Sequence, residues 1–262
     1  MIDIKTLQNR NKLLTKAGSF FLVLSICLSV YACFNSTTVL GINSMIKPIK
    51  FGLSTWIYSW TLAYLLFYVN NQKKVKWFSY LSVFVMLFEN GVITIQAFRG
   101  NISHFNQSEI VWGILYALMG VFIVWLTTAT LILTLRFVFQ KTYSISAPFA
   151  LSIRIGLLLF VVFSFFGGYM SVLNTHNVGG KIGGQGLPLV NWSTLYGDLR
   201  VAHFFGIHSL QIIPLAGYFI ADKIKDEGKA KMFIWLIAML YFVFITALAV
   251  QSLMGLPFLK TS

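Results

Sequence analysis

The sequence predicts an all-α fold: a polytopic membrane helical bundle with seven transmembrane helices, in a single integral membrane domain over residues 1–262. Three observations predict it. Apolar runs of about 20 residues or more recur along the chain, long enough for helices that cross a bilayer. Only 10% of the residues are charged, where a soluble domain carries about 25%. The mean hydropathy is +0.77, and the basic residues gather at the ends of the apolar runs.

The expected spans are 18–40, 51–70, 76–98, 110–139, 148–172, 200–221 and 232–256. The fourth is long enough to tilt in the bilayer or project from it. The basic stretch before the first span leads into it with no convincing small-residue cleavage site, so the first span reads as retained. Lys5, Arg10, Lys12 and Lys16 precede it, Lys73, Lys74 and Lys76 fill the second connection, and Arg136, Lys141 and Arg154 surround the fourth. Lys223, Lys225, Lys229 and Lys231 fill the sixth. These alternate connections hold fourteen of the 20 basic residues, against six on the other side. The positive-inside rule therefore puts the N-terminus in the cytoplasm and the C-terminus outside. The net charge of +13 is thus explained by topology and anionic lipid headgroups, and nucleic acid is not an expected partner. Cys27 and Cys33, both on the first apolar run, face different ways and suit neither a disulfide nor a metal pair.

The most unusual stretch is 197–211, GDLRVAHFFGIHSLQ, which carries Asp198, Arg200, His203, His208 and Gln211 into the sixth span. On a helical wheel Arg200, His203, His208 and Gln211 share an arc of about 140°. Ionisable groups inside a span are costly and usually face the bundle interior or a water-filled cavity. Histidine can act as general base, metal ligand or haem ligand. His203 and His208 are therefore the candidates for proton transfer or metal ligation. The competing reading is that they bond neighbouring backbone.

Glu89 is the only acid within an expected span and shares a helix face with Gln96. It lies about 13 Å below the end of its span, and His208 lies about 12 Å below Arg200. Groups at matching depth are candidates for a pair or a proton path, and Glu89 joins the two histidines as a catalytic candidate. Arg99, Arg200 and Lys50 (or Lys47) supply positive charge for an anionic group. Gln96, His104, Gln211 and Asp198 complete the expected binding residues, although Asp198 could equally neutralise Arg200 in a structural ion pair. All four histidines, His104, His176, His203 and His208, fall in the outer half. The connection 173–199 between the fifth and sixth spans is long and Gly-rich and contains Leu187, Trp192 and Tyr196. A loop of that length with apolar residues reads as an outer lid or cap.

Three blocks, KPIKF with the following SxxIY, QAFRGNISHFN, and GLPLVNWSTLYGDLRVAHFFGIHSLQ, resemble a family of small uncharacterised bacterial multi-pass inner-membrane proteins. The resemblance covers about 45–217. It implies a bacterial inner-membrane location and brings no activity or cofactor. The last span has no lysine for a retinal Schiff base and no HxxxH pair.

Three classes of function fit these residues. One is an enzyme or redox protein with an outer-facing pocket for a quinone, a lipid or another anionic or polar small molecule. A haem or a metal ion is a conceivable cofactor there, but His208 lacks an evident intramembrane partner for bis-His haem. The second is a transporter or channel, which the odd number of spans and the lack of internal repeats disfavour. The third is a non-catalytic assembly or sensor module, whose polar residues would bond only one another.

Overall fold

A computed structural model describes residues 3–184 and 186–260. Among them are seven α-helices: α1 (Ile4–Ala32), α2 (Ile46–Leu65), α3 (Gln72–Phe98), α4 (Ile110–Val138), α5 (Ala147–Leu173), α6 (Leu199–Lys223) and α7 (Glu227–Leu253). Six are long and apolar enough to cross a membrane, which is the build of a multi-pass membrane protein. The exception is α2. Its 20 residues include Lys47, Lys50 and several hydroxyl and indole side chains, so its apolar stretch is diluted.

The chain forms two compact units. Unit 1 runs to Phe67 and from Asn71 to Leu126, and unit 2 takes Tyr68–Asn70 and everything from Thr127 onward. The helix α4 passes from one to the other.

In unit 1 the first helix starts earlier and ends earlier than the expected 18–40. Asp3 caps it by accepting from Thr6 N at 2.8 Å. Asn11 then leaves the helical region (φ −154°, ψ 90°) and restarts the helix by accepting from Leu14 N at 3.1 Å, the behaviour of an N-cap asparagine. The residues read as the end of the span instead form a two-stranded hairpin, β1 (Thr38–Val39) with β2 (Ile42–Asn43). Its turn residues Leu40 and Gly41 both have positive φ, 52° and 84°, as a two-residue type I′ turn demands. Asn43 Nδ2 locks the hairpin base by donating to Ala32 O at 3.1 Å and Asn35 O at 2.7 Å.

The pair α1–α2 is closely packed through small residues. A Cβ on Gly52 would sit 2.2 Å from Ser25 Oγ, and one on Gly18 would sit 2.4 Å from the Trp60 ring. Trp60 Nε1 donates to Thr15 O at 3.1 Å. Small residues that let backbones approach are the usual means of joining helices in lipid, where apolar burial supplies little drive. Asn11 Nδ2 donates to Ser79 Oγ at 2.8 Å and ties α1 to α3.

In unit 2, α5, α6 and α7 pack together. Ser209 Oγ donates to Gly156 O at 3.1 Å, and Tyr241 OH to Phe205 O at 2.7 Å. The long connection is folded: β3 (Asn177–Val178) pairs with β4 (Gly197–Asp198), and Trp192 is buried among Phe204, Phe205 and Phe258.

The close α1–α2 contact generates a test. Gly52→Val overpacks it and should destabilise the protein by about 2 kcal/mol, read as a lower melting temperature in detergent. An unchanged melting temperature would show that the two helices do not meet at this glycine.

Candidate functional site

The polar residues of the sixth helix are held by protein partners. Asp198 is the N-cap of α6 and is fully buried, its side chain accepting from Arg200 N at 3.0 Å and from Ser193 N at 3.0 Å. The Arg200 guanidinium meets the same carboxylate, with Nε 2.9 Å from Oδ1 and one terminal nitrogen 2.6 Å from Oδ2. Arg200 also donates to Asn191 O at 2.5 Å, and His176 Nδ1 lies 3.6 Å from the carboxylate. Burial opposes ionisation of Asp198, but hydrogen bonds from His176 and Arg200, and their charge, hold it well below the usual carboxylate range. This node joins the connection 173–199 to the start of α6.

His203 Nδ1 donates to Phe163 O at 2.8 Å, and its ring fills the space over Gly167, where a Cβ would come within 2.4 Å. His208 Nδ1 lies 3.1 Å from Gln211 Oε1, and its ring meets Phe204 edge-on at 4.4 Å. A structural role accounts for each of these contacts: His203 joins α6 to α5, and His208 braces its own helix.

Glu89, Gln96, Arg99, His104 and Lys50 belong to unit 1. Lys47, a turn before Phe51 on α2, brings its ammonium 3.2 Å from His104 Nδ1 and 5.9 Å from the centre of the Phe51 ring. Ser103 Oγ lies 3.1 Å from the same ring nitrogen. With Nδ1 accepting, the proton of a neutral His104 sits on Nε2. The His104 ring also packs against Phe51 at 5.8 Å and Tyr116 at 6.1 Å. Arg99 is exposed and stacks over Trp112 at 4.3 Å. Lys50 is half-buried on α2.

Glu89 is only 4% exposed and Gln96 only 1%, and neither Glu89 Oε1 nor Gln96 Oε1 has a protein hydrogen-bond partner. The charge of Lys47 acts on Glu89. Trp56 Nε1, Trp112 Nε1 and Tyr116 OH are likewise buried without a partner. Of the eight such side-chain atoms among the described residues, seven lie in unit 1. Native interiors leave few polar groups unpaired, so a concentration of them marks a place for something other than protein. By contrast, Asn90 beside Glu89 is satisfied, with Nδ2 donating to Thr55 Oγ1 at 3.0 Å and Met86 O at 2.9 Å.

Lys47, Glu89, Gln96 and His104 thus lie in one unit, where Lys47 meets His104, and Asp198, Arg200, His203, His208 and Gln211 lie in the other, where Asp198 meets Arg200 and His208 meets Gln211. Tyr116, Trp112 and Trp56 are additions that the sequence does not flag, because an aromatic in an apolar helix looks like core. The sequence reading places Lys50 among the binding residues with Lys47 as its alternative, and in the structure it is Lys47 that meets His104. No group of three or more His, Cys, Asp or Glu residues able to hold a metal ion occurs among the described residues. No protein-family model matches the chain, and no match was found among curated proteins or solved structures.

Two outcomes follow from this geometry. Asp198→Asn breaks a buried pair and should cost about 3 kcal/mol of stability, measured as a lower melting temperature. In the native protein the Asp198 carboxyl is depressed in the folded state. Its contribution is therefore fully present above the unfolded value of about 3.9 and fades only as pH falls below that value. A melting temperature that already declines between pH 7 and 5 equally in native and Asp198→Asn protein would assign the acid sensitivity elsewhere. Glu89→Leu removes an unsatisfied acceptor. It should leave stability unchanged or raise it by up to about 2 kcal/mol, and a large loss would mean that Glu89 is a structural partner.

Proposed function

We propose that this chain is a bacterial inner-membrane protein of seven spans, α2 included, with the N-terminus in the cytoplasm and the C-terminus outside. It belongs with the small multi-pass proteins that its KPIKF, RGNISHFN and GDLRVAHFFGIHSLQ blocks resemble. Its activity is that of a membrane enzyme or redox protein acting on a polar small molecule that enters from the bilayer or the outer surface, a quinone or a lipid headgroup among them. The observation that carries this reading is the two buried, unpartnered oxygens on Glu89 and Gln96, in the same unit as the Lys47–His104 contact. Proteins retain unsatisfied buried polar groups at a cost in stability, and functional sites are where that cost is commonly met. Lys47, Glu89, Gln96 and His104 bind the molecule, and Arg99 at the end of α3 supplies charge at the entrance. Asp198, Arg200 and His203 support the frame of the second unit. A non-catalytic module would satisfy its polar residues internally, which suits unit 2 and not the Glu89 region.

Two measurements test the proposal. Reporters fused after Asn70 and after Gly183 should report opposite compartments, and a shared compartment would overturn the orientation. Protein purified in mild detergent should retain a small molecule detectable by mass spectrometry of its organic extract. Glu89→Gln should lose at least about nine-tenths of it, a tenfold effect equivalent to one charged hydrogen bond. Equal retention by the native protein and the variant would remove Glu89 from the site.

A further inference from the structure

The unpaired atoms around Glu89 also say what kind of molecule they are built to hold, and this step rests on the reading just proposed. Glu89 Oε1 and Gln96 Oε1 are acceptors, so whatever satisfies them must donate hydrogen bonds. A carboxylate fails this requirement because it brings acceptors alone, and a phosphate, although its P–OH groups can donate, brings negative charge against a carboxyl group. A cation is opposed by Lys47, whose charge already acts on Glu89. What remains is a neutral molecule with hydroxyl or amide protons.

Its shape follows from spacing. Glu89 and Gln96 are seven residues apart on α3, about 10 Å along the axis. The layer between them is apolar: Val92 and Ile93 with Phe51 against them. A ligand that reaches both acceptors therefore needs a donor at each end and an apolar, flat middle. A six-membered aromatic ring with para hydroxyls, plus a hydrogen bond at each end, spans about this distance. The rings of this unit suit such a middle, with His104 tilted against Phe51 at 5.8 Å and against Tyr116 at 6.1 Å. A molecule of this kind is also soluble in the bilayer. We infer that unit 1 binds the quinol form of a quinone headgroup, with its two hydroxyls donating to Glu89 and Gln96 and its ring against Phe51.

The test uses the full-length protein in phosphatidylcholine nanodiscs free of quinone, kept anaerobic, with Trp56 and Trp112 fluorescence as readout. Three probes are titrated: duroquinol, its dimethyl ether and inorganic phosphate. Duroquinol should give a saturable change. The dimethyl ether, with the same ring and no donors, should bind at least about tenfold more weakly. Glu89→Gln and Gln96→Leu should each weaken duroquinol by about tenfold or more, with circular dichroism and melting temperature confirming that the variants fold. The comparison of the two rings needs no variant, so it decides the matter even if both substitutions misfold. Equal affinity for duroquinol and its ether overturns the inference, as does duroquinol binding that neither folded variant weakens. Phosphate binding without duroquinol binding overturns this inference and leaves the polar-ligand reading standing. A native protein that retains no molecule on purification and responds to no probe overturns both.

Discussion

In hydrocarbon, a polar group that does not find a partner within the protein finds none at all, and the rest of this structure depends on that constraint. The helices meet it mostly by themselves. Ser25 Oγ donates to Phe21 O at 2.8 Å, Ser79 Oγ to Val75 O at 2.8 Å and Ser252 Oγ to Leu248 O at 2.5 Å. Each hydroxyl thus returns to its own preceding turn. Arg10 is treated likewise, donating to Tyr64 O at 3.1 Å with its guanidinium 4.0 Å above the Tyr64 ring. Against this background the unpaired oxygens of Glu89 and Gln96 are informative, because Asn90, next to Glu89, finds two partners.

The two units answer the constraint differently. In unit 2 the charges cancel locally. Asp198 accepts from Ser193 N, Arg200 N and the Arg200 guanidinium, so one buried carboxylate organises a loop, a helix start and a cation. In unit 1 the ionisable groups are spread over separate elements: Lys47 on α2, Glu89 on α3 and His104 in the α3–α4 connection. That dispersal leaves Glu89 Oε1 and Gln96 Oε1 without a protein partner, whereas the Asp198 node uses its capacity on the fold.

Most of the architecture was legible because apolar length is a strong signal: six of the seven expected spans appear as helices of 25 to 29 residues. The hairpin at Thr38–Asn43 was not, because STTVLGIN continues an apolar run and its turn is set by Leu40 and Gly41 dihedrals. The break at Asn11 was hidden for a similar reason, since one asparagine can cap a helix or sit within it. Within the site, Glu89 stood out as an acid in an apolar run. The partner of His104 did not, because the contact joins residues 57 positions apart. The Asp198–Arg200 pair was readable from its two-residue spacing, but the share taken by Ser193 and Asn191 depends on how the long connection folds.

The break at Asn11 also sets how α1 is matched to the bilayer. An unbroken helix of 29 residues would be about 43 Å long, well beyond a hydrocarbon core of about 30 Å. Restarting at Asn11 leaves Lys12–Ala32 as the spanning part, about 31 Å, and turns the basic segment before it aside, where Arg10 is fastened to the end of α2. The helix α4, also 29 residues, has no such break. The spanning part of α1 therefore matches the hydrocarbon core by length, while α4, about 43 Å long, exceeds it and has to tilt or project.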